Sequence, residues 1–121
     1  MLVINFHRHP ISDDFNEVIR VISSDDAMMM WDAIPDDLTL YLTIKEAFSD
    51  WATQPAAELS AASNDGTGMI LVREGGMIEI NVPAATMQNF APGSHLLHIK
   101  GVREGTNFTL VSGILPLITG A

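Results

Sequence analysis

Cysteine is absent from this 121-residue chain. That excludes disulfides, thiolate metal ligands and cysteine nucleophiles, so packing and hydrogen bonds alone must hold the fold. Basic residues are few, 6 Lys and Arg against 15 Asp and Glu, for a net charge of −9. A surface that grips phosphates needs clustered Lys and Arg to displace counterions. The six here (Arg8, Arg20, Lys45, Arg73, Lys100 and Arg103) are scattered, so nucleic acid is not an expected partner. No apolar run approaches the ~20 residues of a membrane-spanning helix, so no membrane is expected either. No basic segment followed by an apolar one opens the chain, and no secretory leader is expected. Hydrophobic residues make up 47% of the sequence, enough to fill a core without staples. At this length about two thirds of the unfolded surface is buried on folding. The expectation is a soluble, single-domain protein of a reducing compartment, or one indifferent to redox state.

The motifs of common chemistries are also missing. There is no G-x-S-x-G, no H-E-x-x-H and no phosphate loop ending in Gly-Lys-Ser/Thr. "GTG" at 66–68 is a lone Gly-x-Gly among turn residues. The adjacent acids Asp13-Asp14, Asp25-Asp26 and Asp36-Asp37 lie among turn formers and read as solvated turn residues, ahead of catalytic dyads. They also read so ahead of calcium ligands, since no D-x-[DN]-x-[DN]-G loop is present. His7 and His9 would share a face of a strand, which suits a metal, but the sequence names no third ligand. His95 and His98 are three apart, so a strand turns them to opposite faces. Each reads as a half-buried or surface side chain. No catalytic residue, cofactor or metal is expected, and the chain is not read as an enzyme.

What is present is alternation with period two. In "LTLYLTIK", Leu38, Leu40, Leu42 and Ile44 point one way and Thr39, Tyr41, Thr43 and Lys45 the other. "MIEINV" sets Ile78, Ile80 and Val82 against Met77, Glu79 and Asn81, and "TNFTLV" sets Phe108 and Leu110 against Asn107 and Thr109. Each pattern suits a strand with one buried face. In "FNEVIRVI", Phe15 and Val18 are out of phase, which predicts a bulge or a late strand start near Glu17. Turn formers punctuate these runs: "SNDGTG" (63–68), "REGG" (73–76) and "REGTN" (103–107), the last two linking hairpins. Residues 47–55 read as a long connection and 57–61 as a short strand. "PAATMQNF" offers one helical turn from Pro83, stopped by Pro92-Gly93. Short strands at this spacing predict an antiparallel sandwich or barrel of about 7–9 strands with at most one short helical turn. Residues 1–14 are read as an N-terminal arm or extra strand and 15–121 as the β domain.

"MMMWDAI" (28–34) is the unusual segment. Met28, Met29, Met30 and Trp31 cannot all face one core from a strand. With Trp51 in the long connection they are the candidate subunit interface, because Met and Trp are favoured in such patches.

The order of pieces from Asp36 onward resembles a family of small bacteriophage and prophage structural proteins. The pieces are "LTLYLTIKEAFSD", "SNDGTG", "MILVREGGMIEINVP", "AATMQNFAPGSHLLHIKG" and "TNFTLVSGILPLITG", covering roughly residues 36–119. They include a V-P-x-x-x-T stretch with Pro83 and Thr86, a Pro92-Gly93 strand opening and Gly113 in the last strand. The chain is similar to the immunoglobulin-like N-terminal domain of phage baseplate upper proteins. It departs from the pattern in having His95, His98 and Lys100 where an acid is common, and in its opening "MLVINFHRHP". The resemblance implies an all-β, immunoglobulin-like antiparallel β-sandwich. It also implies a virion structural protein of the tail, baseplate or head–tail region, made in the host cytoplasm and located in the virion. Its partners would be other copies of itself, as a homo-oligomer in the particle, and neighbouring virion proteins. Alternative readings are a capsid decoration protein on the phage head and a host-glycan or receptor-binding module, the latter using Trp31, Tyr41 or Trp51.

Overall fold

Alternating burial builds the strands one by one. Leu40, Leu42 and Ile44 are fully buried, with Leu38 beside them at the strand's start, while Thr39, Tyr41, Thr43 and Lys45 face outward. Ile78, Ile80 and Val82 repeat the scheme on a second strand against Met77, Glu79 and Asn81. A computed structural model describes residues 2–20, 38–46, 59–73 and 76–119. Among these, the strands are β1 Leu2–Asn5, β2 His9–Pro10, β3 Phe15–Arg20, β4 Thr39–Glu46, β5 Leu59–Ala62, β6 Ile70–Arg73, β7 Met77–Val82, β8 Gly93–Arg103 and β9 Thr106–Ile118. A single helical turn, α1 Ala84–Met87, lies between β7 and β8. The chain is an all-β protein, with two sheets and one short turn of helix among the described residues, as the alternation predicts.

The larger sheet runs β1-β9-β8-β4-β5, with β2 also paired to β9, and the smaller runs β3-β7-β6. All pairings are antiparallel except those of β1 and β2 with β9, which are parallel. One hydrophobic cluster joins the sheets as a sandwich. The smaller sheet gives Phe15, Ile19, Ile70, Ile78, Ile80 and Val82; the larger gives Leu40, Leu42, Ile44, Leu97, Ile99 and Leu115. Each fully buried aliphatic side chain stabilises the fold by about 1.5–3 kcal/mol, so the interlayer carries most of the stability.

The connections follow from local chemistry. Glu104 (φ 51°) and Gly105 (φ 77°) form the two-residue loop between Arg103 and Thr106. Positive φ at both positions matches the twist of the hairpin they close. Pro83 ends β7, and the chain crosses to the larger sheet through α1. There Asp14 accepts a hydrogen bond from the Ala84 amide at 2.6 Å, and Met87 and Phe90 are buried below the crossing. Residues 83–92 are thus a sandwich corner.

Two expectations need correction here. β3 pairs with β7 in unbroken register, with no bulge at Glu17; Phe15 and Ile19 set its buried face, and Val18 points out at 57% exposure. The bulge is in the last hairpin instead, between Ile99 and Lys100, opposite the adjacent buried pair Leu110 and Val111. The short strand expected at 57–61 is present as β5, Leu59–Ala62, with residues 57–58 outside the described residues. His95 is buried at 1% exposure, where a half-buried or surface side chain was expected. It shares its face of β8 with Leu97 and Ile99, and burial of that face carries it inward.

Candidate functional site

The N-terminal segment lies along β9 and, among the described residues, leaves one side of the sandwich open. Leu2, Ile4 and Phe6 turn toward the core and are partly buried against it, while Val3 points out at 67% exposure. Gly113 makes the seat. A Cβ there would lie 2.7 Å from the Ile4 carbonyl oxygen and 2.7 Å from Phe6 Cε2, closer than real Cβ contacts come. Only a glycine lets β1 and the Phe6 ring settle onto β9. The Phe6 amide then donates to the Ile114 carbonyl at 3.0 Å. Its ring meets Phe15 edge-on at 5.9 Å, and the His9 ring does the same at 5.1 Å.

Between β1 and β3 runs an open groove of about 380 Å³. Leu2, Ile4, Phe6 and Ile19 give it an apolar lining, with His7, Glu17 and Arg20 also lining it. Val3 on β1 and Val18 on β3 are the two most exposed large hydrophobic side chains among the described residues. They point to opposite outer faces of the sandwich, Val3 away from the larger sheet and Val18, opposite Glu79, away from the smaller. An uncharged strand at a sheet edge with an exposed apolar side chain, as β1 is among the described residues, suits a contact surface.

The opposite edge of the larger sheet is closed by a carboxylate. Asp65 accepts from the Ala62 amide at 2.8 Å, from the Thr67 amide at 2.9 Å and from the Thr67 hydroxyl at 2.7 Å. These bonds, that from Ala62 first, hold its carboxyl below the usual carboxylate range. On the outer face of this sheet a second groove of about 280 Å³ runs past Tyr41, Thr43, Ser60 and Lys100. His98 is on the same face, next to Thr43 in register. Burial, and then the nearby Lys45 charge, lower the pKa of its imidazole.

The predicted site residues separate. Met28, Met29, Met30, Trp31 and Trp51 lie outside the described residues, as do Asp25-Asp26 and Asp36-Asp37. His95 and His98 face opposite sides of β8, as strand geometry requires. His95 Nδ1 lies 3.0 Å from the Gly93 carbonyl oxygen and its ring meets Phe90 edge-on at 5.5 Å. His7 and His9 do not share a strand face: residues 6–8 leave the sheet, His7 is exposed, and His9 Nε2 lies 3.1 Å from the Asp13 carbonyl oxygen. Asp14 serves the α1 amide while Asp13 is exposed. Among the described residues no three His, Asp or Glu side chains gather as a metal site. The β1/β3 opening escaped sequence reasoning; its one readable signal was an uncharged "LVIN" next to the chain's start. No protein-family model matches the chain, and no curated protein matches it.

Proposed function

We propose that this chain is a bacteriophage virion structural protein, an immunoglobulin-like β-sandwich of the tail, baseplate or head–tail region. It works through contacts with copies of itself and with neighbouring virion proteins. The observation that carries the contact role is β1, an uncharged strand at the edge of the larger sheet among the described residues, with Val3 exposed and an apolar groove beside it. A side chain as exposed as Val3 on an uncharged edge strand is a cost to an isolated monomer and a benefit to an assembled one. The resemblance of residues 36–119 to phage structural proteins supplies the virion setting. Mass spectrometry of purified particles, with copy number per particle, tests the reading. Multiples of five or six in the low tens fit a tail or baseplate position. Absence of the chain from particles refutes the assignment.

A further inference from the structure

The chain has two lysines, Lys45 and Lys100, and both lie on the outer face of the larger sheet. Tyr41 is opposite Lys100 and Thr43 opposite His98 across the β4–β8 ladder. From β5, Ala62 stands opposite Tyr41 and Ser60 opposite Thr43. Residues two apart on a strand share a face, so these side chains form one patch. Lys45 is a diagonal neighbour of His98, at about 7–8 Å in such a ladder, and its charge helps to lower the imidazole pKa. The small Ser60 and Ala62 beside the larger Tyr41 leave the groove of about 280 Å³. Tyr41 is 40% exposed, the one aromatic among the exposed large apolar side chains described. Acids outnumber bases 15 to 6 in the chain, yet among the described residues none points outward from β5, β4, β8 or β9. Charges more than about 8 Å away are largely screened at physiological salt, so the local lysines govern this face more than the net −9 does.

We propose that this groove binds a carboxylate-bearing sugar unit of an anionic polysaccharide. The Tyr41 ring offers a flat apolar face to the C–H side of a sugar ring. The Thr43 and Ser60 hydroxyls, each donor and acceptor, suit sugar hydroxyls, and the Lys100 ammonium suits the carboxylate. The backbone of β4 is spent on β5 and β8, so a peptide cannot add to it as a strand, and side chains alone do the recognition. A small inorganic anion would use the lysines and leave Tyr41 idle. A nucleic acid would need more clustered bases than two lysines. A ring face, two hydroxyls and an amine together fit a charged ring bearing hydroxyls. This binding goes beyond the contact reading above and does not depend on it.

NMR titration of the full chain at low salt tests this, with trimers of galacturonate and of mannuronate as probes. At least one trimer should give saturable shifts centred on Tyr41, Thr43, Ser60 and Lys100. Its methyl ester, which keeps the rings and removes the charge, should bind about fivefold more weakly, and acetate should give no saturable shift. Tyr41→Ala should weaken binding of the acid about tenfold or more. Lys100→Gln should weaken the acid about fivefold and leave the ester unchanged, so that the two bind alike. Val18→Thr, on the outer face of the smaller sheet, should change neither. All three side chains are exposed, and thermal melts matching the parent show that the variants fold. In the saturated complex the His98 pKa should rise, because a bound carboxylate favours the imidazolium. Saturable shifts with neither trimer overturn the proposal, as does equal binding of acid and ester by the parent chain. So does binding indifferent to Tyr41→Ala, or a glutamate hexapeptide that binds the same groove as tightly as the trimer.

Discussion

Replacing Gly113 with alanine isolates the energy of the N-terminal segment. The new Cβ would stand 2.7 Å from a backbone oxygen, Ile4 O, and 2.7 Å from the Phe6 ring. The ring can rotate away, but the carbonyl moves only if β1 moves. Overpacking of this kind costs about 1–3 kcal/mol. Against it stands the gain of replacing glycine in a strand, about 0.5–1 kcal/mol. The expected net loss is about 1–2 kcal/mol, measured by urea unfolding of the full chain. A bound applies as well, because a strained chain can always release β1 from β9. The loss therefore cannot exceed what deleting residues 2–6 costs in the same assay. In the deleted background no carbonyl or ring remains to clash, so Gly113→Ala should be neutral or stabilising by about 0.5 kcal/mol. The difference between backgrounds is the coupling of Gly113 to the segment. Amide exchange gives a second reading: in full-length Gly113→Ala, the Phe6 amide should lose the protection its bond to Ile114 provides. Equal effects of Gly113→Ala in both backgrounds would refute the close approach as the reason for glycine here.

Other expectations follow from single contacts. Asp65 has its folded pKa lowered, so the stability it contributes is complete above its ordinary value of 3.8 and is lost as pH falls through the folded value; Asp65→Asn should flatten that acid limb, and NMR titration of the carboxyl should show the low pKa. His98 also has a lowered pKa, so its contribution is present above 6.5 and is lost as pH falls through the folded value. Lys45→Ala should raise the His98 pKa part of the way back, because burial, the larger cause, remains; an unchanged NMR titration would refute the coupling to Lys45. Leu42→Ala, at a fully buried position facing the smaller sheet, should cost about 2–5 kcal/mol in urea unfolding. Glu104 holds a left-handed conformation at φ 51°, so Glu104→Asn should stabilise the β8–β9 hairpin by about 0.5–1 kcal/mol in thermal melts.

The strands buried on one face were legible because their periodicity is the trace of that burial. Leu38 to Ile44 and Ile78 to Val82 alternate without fault, and each alternating position is buried as read. β3 misled because Val18 looks like a core residue by type. Its exposure follows from alternation, since Phe15 and Ile19 take the buried face and turn Val18 to the outer one. The bulge had a local signature, the adjacent apolar pair Leu110-Val111, but "TNFTLV" fits simple alternation up to that point. For His95 the parity was readable from Leu97 and Ile99, while its burial depended on Phe90 arriving from the corner. The candidate edge was least legible of all. Nothing in "LVIN" says that it pairs parallel with residues 111–114, or that no described strand lies on its other side. Pairing choice between distant segments is a property of the assembled sheet.

The partnership of β1 with β9 also orders events in time. Leu2 pairs with Val111 and Asn5 with Ile114, so β1 waits for a strand synthesised long after it. Contacts so distant along the chain form late, after loop closure has brought the two strands together. During that interval the β9 flank is bare and β1 has no partner, and in the same chain the two compete with their counterparts on nearby nascent copies. Where many copies are translated close together, the choice between a chain's own β1 and a neighbour's is set by local concentration against the tether of residues 6–14. A folding rate limited by the β1–β9 pairing is therefore also a setting for how often two chains leave the ribosome entangled.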